Sequence, residues 1–221
     1  MHAMILAAGR GERLRPLTDS TPKPLLKAGS MLLIEHHLHA LSAAGFSDIV
    51  INIGHLGELI VDYLGDGSRY QLAIHYSDER NAVLETGGGI VKALPLLKSD
   101  PFLVINGDIW TDIDLSLLPE KLDSLAHLIL VKNPPHHPHG DFSLQDGLIK
   151  QKKDNHRSWT YSGMAIFSHA LFDQCREERF PLAPLLWEHI ANNQVTGEIY
   201  EGLWFDIGTR ERLDSLNLLL R

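Results

Sequence analysis

Short apolar runs recur along this chain, separated by stretches in which apolar residues return every three or four positions. The runs Ala3 to Ala8, Asp48 to Ile53, Leu72 to Tyr76, Phe102 to Ile105, His127 to Val131 and Tyr161 to Phe167 have the length and the Ile/Val/Leu content of buried strands. Between them, Leu33 to Ala44 sets Leu33, Ile34, Leu38 and Leu41 on one helical face and stops at Gly45, a residue suited to a helix C-terminus. Shorter helices are predicted over Leu56 to Leu64, Gly88 to Leu97 and Ser116 to Leu125, and two more, Leu182 to Asn192 and Arg210 to Leu219, follow the last apolar run. Strand and helix in alternation, joined by short loops, predict an α/β fold: a three-layer sandwich with a mainly parallel mixed sheet and helices on both faces. Ligands in such folds bind at the carboxyl ends of the strands. After about residue 132 the pattern changes to prolines and a hairpin signal at Asp146-Gly147, which predicts a small inserted lobe suited to a second substrate. No internal repeat or linker divides residues 1–221, so one domain is expected.

Composition narrows the function classes. Hydrophobic residues make up 44% and charged residues 22%, which excludes a disordered or membrane-embedded chain. The first apolar run is too short for a signal segment, and no stretch approaches the ~18 apolar residues of a membrane span, so a cytoplasmic protein is expected. A formal net charge of −8 has the wrong sign for a general nucleic-acid binder. Any phosphate site must therefore be local. The single cysteine, Cys175, is read as a structural thiol. Histidines cluster at His36-His37-His39 and His136-His137-His139, but without carboxylates or cysteines at ligand spacing they read as packed or solvated rings.

Such a local site stands at the end of the first apolar run, where Leu6-Ala7-Ala8-Gly9-Arg10-Gly11-Glu12-Arg13 is followed by Leu14-Arg15-Pro16-Leu17-Thr18 and Pro22-Lys23-Pro24. Ala7 and Ala8 leave room for a ligand. Gly9 and Gly11 can expose backbone N–H groups to anionic oxygens, and Arg10, Arg13, Arg15 and Lys23 crowd cations into an otherwise acidic chain. A polyanion is the simplest reason for that crowding. The string lacks the lysine of the P-loop, and Leu14 stands where the dinucleotide fingerprint needs its third glycine. Further along, Phe102 to Ile105 runs into Asn106-Gly107-Asp108, which delivers a carboxylate to the same sheet edge. Asp206 lies between Phe205 and Ile207, where a carboxylate is costly to bury without a cation. Two carboxylates facing a triphosphate would repel it, so Mg²⁺ between them is the expected resolution. A second glycine run, Glu85-Thr86-Gly87-Gly88-Gly89, permits close approach of a flat base.

These strings resemble the N-terminal signature of the sugar-1-phosphate nucleotidyltransferases, Leu-Ala-Ala-Gly-x-Gly-x-Arg-Leu/Met-x-Pro-Leu-Thr followed by Pro-Lys, and meet it at every fixed position. The resemblance implies a Rossmann-like sandwich with a small inserted sugar-binding lobe. Its substrates would be a nucleoside triphosphate and a sugar 1-phosphate, and its state monomeric or weakly dimeric, without nucleic-acid or membrane partners. It implies Mg²⁺ held by Asp108 and Asp206 and catalysis by Arg13, Lys23 and Asp108. Nucleotide contacts would come from Ala7, Ala8, Gly9, Arg10, Gly11 and Asn106, with Glu85 and the Gly87 or Gly88 backbone meeting the base N3–H. Asn133, Asp141 and Gly163 would contact the sugar. The family's Glu-Lys-Pro motif is missing before Gly163, which leaves Lys150, Lys152 and Lys153 as candidates for its lysine. The short length, the glycine run, His139-Gly140-Asp141-Phe142 and Trp204-Phe205-Asp206-Ile207-Gly208-Thr209 look most like the uridylyltransferases that act on N-acetylmuramic acid 1-phosphate in cell-wall recycling. Mannose-1-phosphate guanylyltransferases, glucose-1-phosphate thymidylyl- or uridylyltransferases and catalytically silent nucleotide-sugar sensors remain the alternatives.

Overall fold

Alternation along the strands assigns side chains to two separate cores. In β1 (His2–Leu6), Ala3 and Ile5 point into one apolar cluster and Met4 into another, all fully buried. Leu103 and Ile105 divide from Phe102 and Val104 in the same way. Strands covered on both faces show no polar alternation, which is why they read as continuous apolar runs. The computed structural model describes residues 1–80, 84–152 and 157–221.

After β1 come a short hairpin, β2 (Lys27–Ala28) and β3 (Met31–Leu32), and α1 (Leu33–Ala43). The chain continues through β4 (Asp48–Ile53), α2 (Gly57–Leu64), β5 (Ala73–Asp78), α3 (Glu85–Ala93), β6 (Phe102–Asn106) and β7 (Ile109–Thr111). It then forms β8 (Ala126–Val131), β9 (Phe142–Gln145), β10 (Leu148–Gln151), β11 (Thr160–Phe167) and α4 (Leu182–Ala191), and after them β12 (Val195–Tyr200), β13 (Trp204–Asp206) and α5 (Arg210–Leu219). Among the described residues, nine strands form one sheet in the order β5-β4-β1-β6-β11-β8-β12-β10-β9. From β5 to β6 every pairing is parallel, whereas β11 runs antiparallel to both β6 and β8. The α/β sandwich with a mixed sheet is thus as expected.

The inserted segment after residue 132 is built onto the main sheet, where β10 pairs with β12, and Phe142, Ile149 and Trp159 join the core under α4. Its hairpin does turn at Asp146 and Gly147, both with positive φ, as a two-residue turn between twisted strands requires. The helix expected over Ser116 to Leu125 is only a 3₁₀ turn, Leu115–Leu117. Pro119 disfavours helical backbone at Leu118, and the chain has no further turn of helix there.

Candidate active site

The carboxyl ends of β1, β4, β5 and β6 open onto one cleft of about 670 Å³. Ala7, Ala8, Gly9, Arg10, Gly11 and Arg13 line it from the loop after β1, and Lys23, Asn106, Asp108 and Glu85 complete the expected set found there. Gly11 has φ of 64°, and its carbonyl accepts a hydrogen bond from Thr18 Oγ1 at 2.9 Å, which holds the loop's return. At Gly9 a Cβ would meet nothing within 4 Å, so that stretch of backbone faces open space, as close approach of an anion needs. Arg10 and Arg13 have no carboxylate partner among the described residues.

Lys23 follows Pro22 at the start of a 3₁₀ turn, with its stem buried. Its ammonium donates to Asp108 Oδ2 at 2.7 Å; the lysine side chain is 11% exposed and the aspartate 38%. The cation is therefore fixed from behind while its partner faces the cleft. Asp108 leaves β6 through Gly107, whose N–H donates to the Leu6 carbonyl at 2.9 Å. A Cβ at Gly107 would stand 2.7 Å from that oxygen, so glycine lets the exits of β1 and β6 converge.

Asp206 is not among the residues that line the cleft, but a long-range pairing brings its backbone next to that of Asp108. β13 lies antiparallel to β7 with Asp206 opposite Ile109, and the Ile207 N–H donates to the Asp108 carbonyl at 2.7 Å. Asp206 is partnered by Arg212 Nη1 at 2.5 Å and His136 Nε2 at 3.0 Å. Among the described residues no three His, Cys, Asp or Glu side chains gather as a ready-made metal cage. Asp108, in the turn after β6, and Asp206, on β13, are joined through their backbones and are nonetheless the donor type that suits Mg²⁺, which takes one or two carboxylates and completes its shell with substrate phosphates and water.

Several expected residues serve packing instead. Gly87 and Gly88 do not line the cleft, and the glycine run is not a loop but the first turns of α3. Both their N–H groups donate to the Phe180 carbonyl, at 3.1 and 3.3 Å. A Cβ on Gly87 would lie 2.3 Å from the Phe180 ring, and one on Gly88 would lie 2.1 Å from the Glu178 carbonyl oxygen. These glycines admit the close approach of the 178–180 segment. Glu85 does line the cleft, with φ of 58°, but its Oε1 accepts from Arg179 Nε and Nη2, each at 2.7 Å.

The three expected sugar contacts also lie outside the cleft lining. Asn133 Nδ2 donates to the carbonyls of Pro138 and Ser158, and its Oδ1 accepts from Thr160, so its amide organises its own loop. Asp141 accepts from the Tyr161 N–H at 2.8 Å and meets His137 Nε2 at 3.0 Å. Gly163, with φ of 83° at the β11 irregularity, packs against Asn106: a Cβ there would be 2.7 Å from Asn106 Nδ2. Lys150 is bonded to Asn193, and Lys152 reaches the His139 carbonyl at 3.3 Å. Lys153 lies outside the described residues.

Other cleft residues carried a weaker signal in the sequence. Asn52 is the polar position in the apolar run that follows Asp48 in β4; its Oδ1 accepts from the Ala7 N–H at 2.6 Å, and its Nδ2 donates to Glu79 Oε1 at 2.8 Å. Glu79 is 5% exposed, and burial raises its pKa despite the bond from Asn52. Together they tie the phosphate loop to β5. Arg212, which lies outside the cleft lining and reaches Asp206, had no local signal at all.

A glycine loop, two arginines with no carboxylate partner among the described residues and a lysine–aspartate pair stand at the carboxyl edge of the parallel strands, an arrangement chemically suited to anionic oxygens. Residues 2–157 match the family model described as nucleotidyl transferase, and the chain belongs to that family. It is 50% identical over 228 residues to the N-acetylmuramate alpha-1-phosphate uridylyltransferase of Neisseria meningitidis serogroup B, covering 99% of this chain and 98% of the relative. To the enzyme of the same name from Caulobacter vibrioides it is 35% identical, covering 93% and 91%. The fold also matches a crystal structure of a putative glucose-1-phosphate thymidylyltransferase from Bacillus anthracis, with a TM-score of 0.85 at 24% identity, over 100% of this chain and 96% of that one.

Proposed function

We propose that this protein transfers a uridylyl group from UTP to N-acetylmuramic acid 1-phosphate and releases pyrophosphate. The observation that carries the reading is the gathering of the Gly9–Gly11 loop, Lys23 and Asp108 in one cleft, in a chain so similar from end to end to the Neisseria uridylyltransferase. The attacking group is already an anion, so no protein nucleophile is needed and catalysis consists of positioning and charge stabilisation. An oxygen of the sugar phosphate attacks the α-phosphorus in line; the new O–P bond forms as the bond to the β-phosphate oxygen breaks, and its electron pair leaves with pyrophosphate. Lys23 stabilises charge at the α-phosphate, while Arg13 and the loop amides hold the β- and γ-phosphates. Asp108 and Asp206 would hold Mg²⁺, which would supply further neutralisation of phosphate charge. Glu85, at the cleft wall, accepts from the uracil N3–H. The sugar enters from the Asn133–Asp141 side, where Gly163 adjoins Asn106.

Pyrophosphate release measured across UTP, dTTP, GTP, CTP and ATP against muramyl, glucosyl, glucosaminyl and mannosyl 1-phosphates tests this reading. The highest kcat/KM is expected for UTP with the muramyl phosphate, and turnover should vanish when EDTA removes divalent ions. Preference for another pair would reassign the substrate, and no release with any pair would leave a nucleotide-sugar sensor.

A further inference from the structure

The guanidinium of Arg212 stands between Asp206 and the cleft-wall residue Gly208. Its Nη1 lies 2.5 Å from both oxygens of Asp206 and 2.7 Å from His136 Nε2, and its side chain is 19% exposed. On its other side, Nη2 stands 2.1 Å from where a Cβ on Gly208 would be, and Arg13 Cζ lies 3.1 Å from the same point. Gly208 is part of the cleft wall. Two guanidinium groups thus stand against one backbone position at the phosphate end of the cleft; Arg212 has Asp206 as its carboxylate partner, and Arg13 has none among the described residues.

A carboxylate that gives both oxygens to a guanidinium cannot offer them fully to a divalent ion, so metal and Arg212 compete for Asp206. An arginine displaced from Asp206 would stand beside Arg13 with nothing to neutralise the pair, and like charges this close in a half-buried wall repel strongly. Phosphate oxygens resolve that repulsion, because the planar guanidinium fork matches them. We propose that Arg212 is a second phosphate-binding residue of this site: it neutralises Asp206 in the metal-free protein, and when a divalent ion takes that carboxylate it turns to the departing pyrophosphate beside Arg13. The proposal rests on the assignment of Asp206 as a metal ligand. It makes one side chain the link by which metal binding prepares the pyrophosphate subsite, a coupling between two ligands through a residue with two alternative partners.

The test measures binding, with Mn²⁺ as the metal probe followed by its electron paramagnetic resonance and inorganic pyrophosphate by calorimetry, on the full chain. Arg212→Gln should bind Mn²⁺ in the absence of nucleotide several-fold tighter than wild type, because the competitor is gone. In saturating Mn²⁺ it should bind pyrophosphate about tenfold more weakly. Arg212→Lys should fall between the two on both measures. Opposite signs for the two ligands separate this role from a structural one, since an arginine that merely held the fold would weaken both on removal and lower Tm. Unchanged or weaker Mn²⁺ binding in Arg212→Gln, with Asp206→Asn markedly weakened, would overturn the proposal and leave the metal site standing. Unchanged Mn²⁺ binding in Asp206→Asn would remove the metal assignment itself and the proposal with it.

Discussion

Acid should destabilise this protein through a side chain that does not line the cleft. His37 sits on the buried face of α1, 5% exposed, and its Nε2 has no hydrogen-bond partner among the described residues. Burial, aided by the neighbouring His36, pushes its pKa from 6.5 down to about 4, against the opposing effects of a hydrogen bond with the Ile109 backbone and the negative charge of Asp108. Because the folded pKa lies below the unfolded one, the unfolded chain takes up the proton first as pH falls. The contribution to stability is intact above the unfolded pKa and is lost progressively as pH drops towards the folded value. A displacement of this size corresponds to roughly 3 kcal/mol in all, of which roughly 2 kcal/mol should already be lost between about pH 7.5 and about pH 5. Urea denaturation of wild type and His37→Gln at those two pH values isolates the effect, because other titrating groups contribute equally to both proteins. The wild type should lose about 2 kcal/mol more than the variant on acidification. Equal losses would show that the imidazole is protonated as readily inside the fold as outside it, and the account of its burial would fail.

Two further outcomes bear on the chemistry. Lys23→Ala should lower kcat by about a hundredfold or more while changing nucleotide affinity far less, since its contact strengthens as charge moves during displacement; equal losses in Kd and kcat would make Lys23 a binding residue only. Glu85→Gln should shrink the preference for UTP over CTP, expected at about ten- to a hundredfold in wild type, because the amide can donate to the cytosine N3 that a carboxylate opposes. A preference that survives unchanged would assign the reading of N3–H to another acceptor in the cleft, such as Glu79.

What the sequence determined by itself is the part of this protein encoded in near neighbours. The strands Asp48–Ile53 and Thr160–Phe167 were legible within a residue because sheets covered on both faces demand continuous apolar runs. The glycine loop, Lys23 and Asp108 were legible because each lies within a short distance of a strand end, and the carboxyl ends of parallel strands share one edge. The hairpin at Asp146-Gly147 was legible because positive φ at consecutive residues restricts which amino acids can stand there.

Only the tertiary structure decided what those residues touch. β7 and β13 are three residues each and have no periodic signal of their own; they exist as a pair, and that pairing puts Asp206 beside Asp108. The glycines at 87 and 88 give no sign in sequence of what packs against them, and the 178–180 segment that does so lies far along the chain. Asn133 likewise has the chemistry to read a sugar hydroxyl, but Pro138, Ser158 and Thr160 already take up its amide. The contact of Arg212 with His136, 76 positions away, follows the same rule. Backbone preference and hydrophobic period are local properties, whereas a polar side chain's partner depends on which distant segments the sheet brings alongside it.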